Sequence, residues 1–208
     1  YVGPRRHTTR GITVTDSDFD LSAPEITRDD LLVLDDPRFT GDNVAIVTGA
    51  GSGIGRATAV ALAANGLTVV GADIDEEGMA ETGDIAADCD AAGEFVPVGC
   101  DLTDEADVDA MVEAADAEGQ IRYVANIAGM QHIASIPNFP MEKYDLLLDV
   151  MLRAPFYVAK KTMPHIRASD DGVGAIGNMS SIHGQYATKD KPAYITAKHG
   201  LTGLTRSI

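Results

Sequence analysis

The chain has 208 residues, enough for one sizeable core, and its 45% hydrophobic content with 21 glycines suits one soluble folded domain rather than a disordered or fibrous chain. Its 32 acidic residues against 16 basic ones leave a formal charge of −16. That balance argues against nucleic acid and against an anionic membrane surface, since both need clustered Lys and Arg. A salt-adapted cytoplasm and an ordinary acidic enzyme explain the acid surplus equally well.

Residues 1–42 are polar, with Pro4, Pro24, Pro37 and the acidic pairs Asp29-Asp30 and Asp35-Asp36. They read as an arm or linker, ordered at most from Asp30 to Leu34. The start lacks Met and has no apolar signal core, and no run approaches the about 20 apolar residues of a membrane span. A clipped N-terminus and a cytoplasmic location are therefore expected.

From Asn43 onward, strand-like and helix-like segments alternate. Val44-Ala-Ile-Val47 is an apolar run of the kind a fully buried strand shows, ending at Thr48-Gly49. Gly55 to Ala64 has the alanine-rich texture of a packed helix, and Thr68 to Ala72 forms a second strand closed by Asp73. An acidic helix follows from Glu76 to about Asp90, then a third strand from Phe95 to Val98. Cys89 and Cys100 are the only cysteines, which is no disulfide framework, and a free buried thiol is expected at Cys100. A helix from Asp104 to Ala115, capped by Thr103, presents Val108, Met111, Val112 and Ala115 on one face. Tyr123 to Asn126 is the fourth strand. The long helix from about Met141 to Ile166 is expected to kink at Pro155, which removes a backbone hydrogen bond. Gly174 to Met179 is the fifth strand, and a helix covers Ala193 to Ser207. This alternation predicts a single doubly wound parallel sheet of Rossmann-type dinucleotide-binding topology over residues 43–208.

The first strand-to-helix turn reads Thr48-Gly49-Ala50-Gly51-Ser52-Gly53-Ile54-Gly55, a T-G-x-x-x-G-x-G pattern. Glycines there let the backbone approach a pyrophosphate, whose charge meets the free N–H groups of the helix N-terminus. Gly49, Gly51, Ser52, Gly53, Ile54 and Gly55 are the candidate contacts. Asp73, 20 residues after Gly53, can accept hydrogen bonds from both ribose hydroxyls and would repel a 2′-phosphate, so NAD is expected rather than NADP. A helix-capping or solvated acid is the alternative for Asp73.

Joined to Cys100-Asp101-Leu102, Asn126-Ile-Ala-Gly129, Ser180-Ser181 and Tyr194-Ile-Thr-Ala-Lys198, these features resemble the short-chain dehydrogenase/reductase family from about Asn43 to Ile208. The resemblance implies that Asp101 and Leu102 lie by the adenine and that Asn126, Ala128 and Gly129 border the cofactor. It makes Ser181, Tyr194 and Lys198 catalytic, with Tyr194 and Lys198 also touching the cofactor. Positions i and i+4 put Tyr194 and Lys198 on one helix face. A phenol ionises near pH ~10, and a neighbouring ammonium eases that ionisation, so Lys198 equips Tyr194 as a base. Ser181 would orient the substrate hydroxyl. One departure stands out. Met151 occupies the place of a family Asn that holds a water linking the catalytic Lys to solvent, so proton exchange is expected to be slower or rerouted.

Within the family, Gly129-Met-Gln-His132, Ser181-Ile-His183-Gly184, Lys191-Pro-Ala-Tyr194 and Ala197-Lys-His-Gly200 resemble the D-3-hydroxybutyrate dehydrogenases. That likeness implies that Gln131, His183 and Lys191 bind a substrate carboxylate, that the substrate is a small 3-hydroxy acid, and that the protein is a homo-oligomer, a tetramer. A turn histidine, a solvated lysine and a loop glutamine are the alternatives. His132 and His199 read as structural neighbours, His7 and His165 carry no motif, and the histidines and cysteines show no metal-ligand spacing. The resemblance further implies C-terminal strands and a lid beyond Ile208, whose lack would leave an exposed sheet edge, an open active site and a poorly stable or inactive chain. Two other readings stay open: a dehydrogenase of another secondary alcohol or sugar, and a catalytically weak NAD-binding regulatory protein.

Overall fold

A computed structural model describes residues 25–208. Its core is one parallel five-stranded sheet built from β1 (Asn43–Thr48), β2 (Thr68–Asp73), β3 (Phe95–Gly99), β4 (Gln120–Asn126) and β5 (Ala175–Asn178), in the order β3-β2-β1-β4-β5. Helices α1 (Gly53–Ala64) and α2 (Glu76–Asp88) cover one face, while α3 (Glu105–Glu118) and α5 (Ala154–Arg167) cover the other. Strand β1 is central and wholly buried, which is why its sequence is apolar throughout. Val44 and Ile46 face α3 and α5; Ala45 and Val47 face α1 and α2. The predicted stripe of α3 is the buried one. Strand β5 lies at the sheet edge, with Ala175 and Gly177 exposed.

Several expectations need correction. Helix α3 is capped by Asp104, whose carboxylate accepts from Ala106 N, because Thr103 is engaged by Asp101 in the preceding turn. The long helix is divided into α4 (Met141–Leu148), a π-helical turn (Asp149–Arg153) and α5. Pro155 falls in the first turn of α5, where its missing N–H costs little, and the wide turn just upstream takes the irregularity. Ala154 N there reaches back five residues to Asp149 O. A last helix, α6 (Pro192–Ser207), carries the C-terminal motif.

The ordered turn before the domain is Arg28–Asp30, earlier than Asp30–Leu34, because Thr27 donates through N and Oγ1 to Asp30 Oδ2. Ile26 and Leu31 pack on Val60, Ala86 and Cys89, and the Asn65 amide bonds Leu34 N and Leu32 O. Residues 25–34 therefore lie along the α1/α2 flank. Residues 1–24 of the expected arm, with His7, lie outside the described residues. No helix among the described residues is long and apolar enough to cross a membrane.

Candidate active site

The carboxyl ends of β1, β2 and β4 open onto a cleft of about 580 Å³, within the size range of small-molecule sites. The β1–α1 turn forms one wall and can only do so with glycine. Gly49 has φ +73°, and a Cβ there would lie 2.8 Å from Ala128 Cα. A Cβ at Gly55 would come within 1.9 Å of Gly49 O. Helix α1 begins at Gly53 behind the N-cap residue Ser52, so its first-turn N–H groups have no helical partners and suit an anion.

Asp73 closes β2 beside this turn. Its Oδ2 accepts from Gly51 N at 3.0 Å and its Oδ1 from Asp75 N at 3.1 Å, which fixes the carboxylate at the cleft wall. Asp101 accepts from Thr103 N at 2.9 Å and Thr103 Oγ1 at 2.7 Å, and these bonds hold its carboxyl below the usual range. Cys100, between them, is a free buried thiol pushed up to about 12 by burial.

At the other end, α6 carries Tyr194 and Lys198 into the same cleft. Lys198 is 3% exposed, donates from Nζ to Met179 O at 2.6 Å, and lies 5.6 Å from the centre of the Tyr194 ring. Burial lowers its pKa from the ordinary lysine value. Ser181 caps the short helical turn Ile182–Gly184, accepting from His183 N at 3.2 Å. The His183 ring stands edge-on to Tyr194 with centroids 5.7 Å apart, its Nδ1 3.4 Å from Ser181 Oγ and its Nε2 3.0 Å from Thr188 Oγ1.

Of the expected cofactor contacts, Gly49, Ser52, Gly53, Ile54, Gly55 and Asp73 line the cleft, as do Asp101, Leu102, Ala128, Gly129, Tyr194 and Lys198. Gly51 and Asn126 do not. Gly51 is buried behind the turn, and Asn126 sits under the cleft with its amide on Asn178 Oδ1 at 2.9 Å. Ser181, His183, Gln131 and Lys191 lie outside the cleft wall, on the loops past it. Gln131 is exposed; Ala134 N bonds Asp190 O at 2.9 Å, bringing its loop beside the one that ends at Lys191. Ile74, Ile127, Met130 and Met179 line the cleft unannounced, although each adjoins a motif residue. Leu146 and Val150 had no local signal; the approach of α4 and the π turn brings them in. Thr48 is a further supporting residue, its Oγ1 accepting from Ile127 N and Ala128 N.

Met151 is 1% exposed, in an apolar cluster with Leu147, Ala193 and Ala197 against which Tyr194 packs. Gly129 borders the same cluster: a Cβ there would meet Met151 Sδ at 3.5 Å, an ordinary contact distance.

The sequence model of the family described as short chain dehydrogenase matches residues 43–208. A D-beta-hydroxybutyrate dehydrogenase of Cupriavidus necator is 35% identical over 166 residues, 78% of this chain and 62% of that protein. A levodione reductase of Leifsonia aquatica is 34% identical over 172 residues, 82% of this chain and 63% of the relative. A crystal structure of levodione reductase superposes with a TM-score of 0.75 at 32% identity, covering 81% of this chain and 65% of that one. The chain thus spans somewhat under two thirds of these relatives' length. With the glycine turn, Asp73, Tyr194 and Lys198 around one cleft, and a family match across all of residues 43–208, the chain belongs to the short-chain dehydrogenase family.

Proposed function

We propose that the protein is an NAD-dependent dehydrogenase interconverting a small 3-hydroxy acid, such as 3-hydroxybutyrate, with its 3-oxo acid. One observation carries the reading: Tyr194 and Lys198 line the same cleft as the glycine turn and Asp73, so a proton acceptor shares one cleft with groups suited to a dinucleotide. The residues fit NAD, with free helix N–H groups for the pyrophosphate and a held carboxylate for the ribose. Lys198 is the sole cation among the lining residues, and Asp73 would meet a 2′-phosphate with like charge, which favours NAD over NADP. Bound NAD supplies the hydride acceptor.

The protein's own groups handle the proton and the substrate's orientation. The Tyr194 phenol oxygen takes the proton of the substrate hydroxyl, and the Lys198 ammonium beside its ring stabilises the negative charge that develops there. Ser181, its oxygen accepting from His183 N, would turn its hydroxyl hydrogen from His183 Nδ1, 3.4 Å away, to the substrate oxygen. Gln131, His183 and Lys191 would grip the carboxylate from the two loops tied by Ala134 and Asp190. The same reading includes a homo-oligomer, a tetramer by family resemblance, and a cytoplasmic location, which sedimentation and cell fractionation check.

A second reading, an uncharged secondary alcohol, draws on a specific feature. Both ring nitrogens of His183 already face hydroxyl oxygens, and Ile133, Ile136 and Ile182 stand exposed on the same loops. A cyclohexanol dehydrogenase of Acinetobacter sp., 36% identical over 80% of this chain, is among the relatives. NADH absorbance with D-3-hydroxybutyrate and with cyclohexanol, beside NAD affinity, separates the cases. The acid should be oxidised, and Lys191→Ala should raise its KM on the order of tenfold or more, as loss of a charge-assisted contact does. Faster turnover of cyclohexanol, indifferent to Lys191→Ala, would replace the acid with the neutral alcohol. NAD binding with no turnover of either leaves a dehydrogenase of another secondary alcohol or sugar, or the regulatory protein.

A further inference from the structure

The cofactor turn is held from behind by a residue that does not reach the cleft. Arg56, in the first turns of α1, has a side chain only 17% exposed. Its Nη2 donates to Gly51 O at 2.6 Å and to Gly78 O at 3.3 Å, and its Nε to Thr82 Oγ1 at 3.1 Å. Glu81 pairs with the same guanidinium at 2.6 Å. Thr82, fully buried on α2, places its hydroxyl 2.8 Å from Ala50 O and 2.9 Å from Gly78 O.

These contacts fix two successive peptide planes. In a trans peptide the C=O of one residue and the N–H of the next point in opposite directions. Thr82 holds the Ala50 carbonyl, and the N–H at the other side of that plane, on Gly51, meets Asp73 Oδ2 at 3.0 Å. Arg56 holds the Gly51 carbonyl, which turns the Ser52 N–H away from α2, and Ser52 lines the cleft. The carboxylate of Glu81 offsets the guanidinium charge, so this arginine acts through geometry and not as a phosphate ligand.

We propose that Arg56, assisted by Thr82, is a positioning residue for the dinucleotide: it orders the Ala50–Gly51 and Gly51–Ser52 peptides, and through Gly51 the Asp73 carboxylate, before the cofactor arrives. The inference rests on the reading of this cleft as the NAD site. Ordering a binding loop in advance strengthens binding by removing the cost of ordering it at the moment of association.

Affinity for NADH, followed by its fluorescence and set beside apo melting curves and steady-state kinetics, tests this. Arg56→Met should weaken NADH binding on the order of tenfold and raise KM for NAD alike, with kcat at saturating NAD within about twofold of the parent. Arg56→Lys should recover part of the loss, because an ammonium can reach one carbonyl but cannot fork across Gly51, Gly78 and Thr82. Thr82→Val, nearly isosteric, should weaken NADH about threefold by freeing the Ala50 carbonyl, and it serves the same comparison if Arg56→Met does not fold. NADH affinity equal to the parent in the folded variants overturns the positioning role. So does a loss of kcat and melting temperature without a change in KM, which marks a merely structural arginine. If the unsubstituted protein binds no NADH, the cofactor reading falls first and the positioning role with it.

Discussion

At the scale of single residues, Lys198 is the costly one. It is almost wholly buried, and the depressed pKa that burial produces means that the folded protein holds this proton less tightly than the unfolded chain does. Where both states are protonated, the full cost of burying the charge is present. As pH rises through the depressed folded value toward the unfolded one of 10.5, the fold sheds the proton first and stability is regained. Lys198→Met should therefore abolish turnover while leaving the apo melting temperature at pH 7 equal to or above that of the parent, with the gap closing by about pH 10. Melting curves across that range check it; a clear drop at pH 7 would mean that the bond to Met179 O outweighs desolvation. A residue kept at such a cost fits a functional role better than a structural one.

At the scale of elements, what was legible had a local cause. Buried parallel strands demand unbroken apolar runs, and these mark β1 and β2; the glycine turn and Asp73 follow directly from strand ends; the spacing of Tyr194 and Lys198 is helix geometry. What escaped depended on partners distant in sequence. Asn65, a lone helix-end polar residue, is what anchors residues 32–34, and nothing around it announces that. The π turn is the other case. Pro155 advertised a disturbance, but packing of the segment beside α6 decides that the extra residue is taken up over Asp149–Arg153. That turn delivers Met151 into the apolar cluster under Tyr194, where a polar side chain could otherwise hold a water. Met151→Asn is accordingly expected to raise kcat by opening a proton route beneath Tyr194. The same change should lower stability by about 1–3 kcal/mol, the cost of a buried amide with imperfect partners. Stopped-flow proton release and thermal melts read the two effects; an unchanged kcat would show that proton exchange already has another path.

At the scale of the molecule, the sheet keeps its chemistry and its mechanical fastening at opposite ends. The cleft lies beyond the carboxyl ends of the strands, whereas near their start Arg122 forms a buried fastening point. The β1–β4 register slips between Val44 and Ala45, leaving Arg122 as the extra residue of a bulge, which frees its side chain from the regular alternation. Its guanidinium bonds Asn43 Oδ1 at 2.6 Å, Ser169 Oγ at 3.2 Å, Asp171 Oδ1 at 2.5 Å and Val173 O at 2.9 Å. One side chain thus joins the first residue of β1 to the whole connection between α5 and β5, the strand on the exposed sheet edge. Arg122→Met should strand the buried Asn43 amide oxygen, release Asp171 and Val173 O, and lower stability by about 2–3 kcal/mol, while NADH affinity stays within about twofold. The guanidinium bond is also the main reason that the Asp171 carboxyl titrates below the usual range, so the parent loses stability as pH falls below about 4. In Arg122→Met that acid limb should flatten. Melting curves from pH 7 down to pH 3, paired with NADH titrations at pH 7, decide whether fastening and function are separable. A large loss of NADH affinity in the folded variant would instead tie the cofactor site to the far end of the sheet, through β1 and β4.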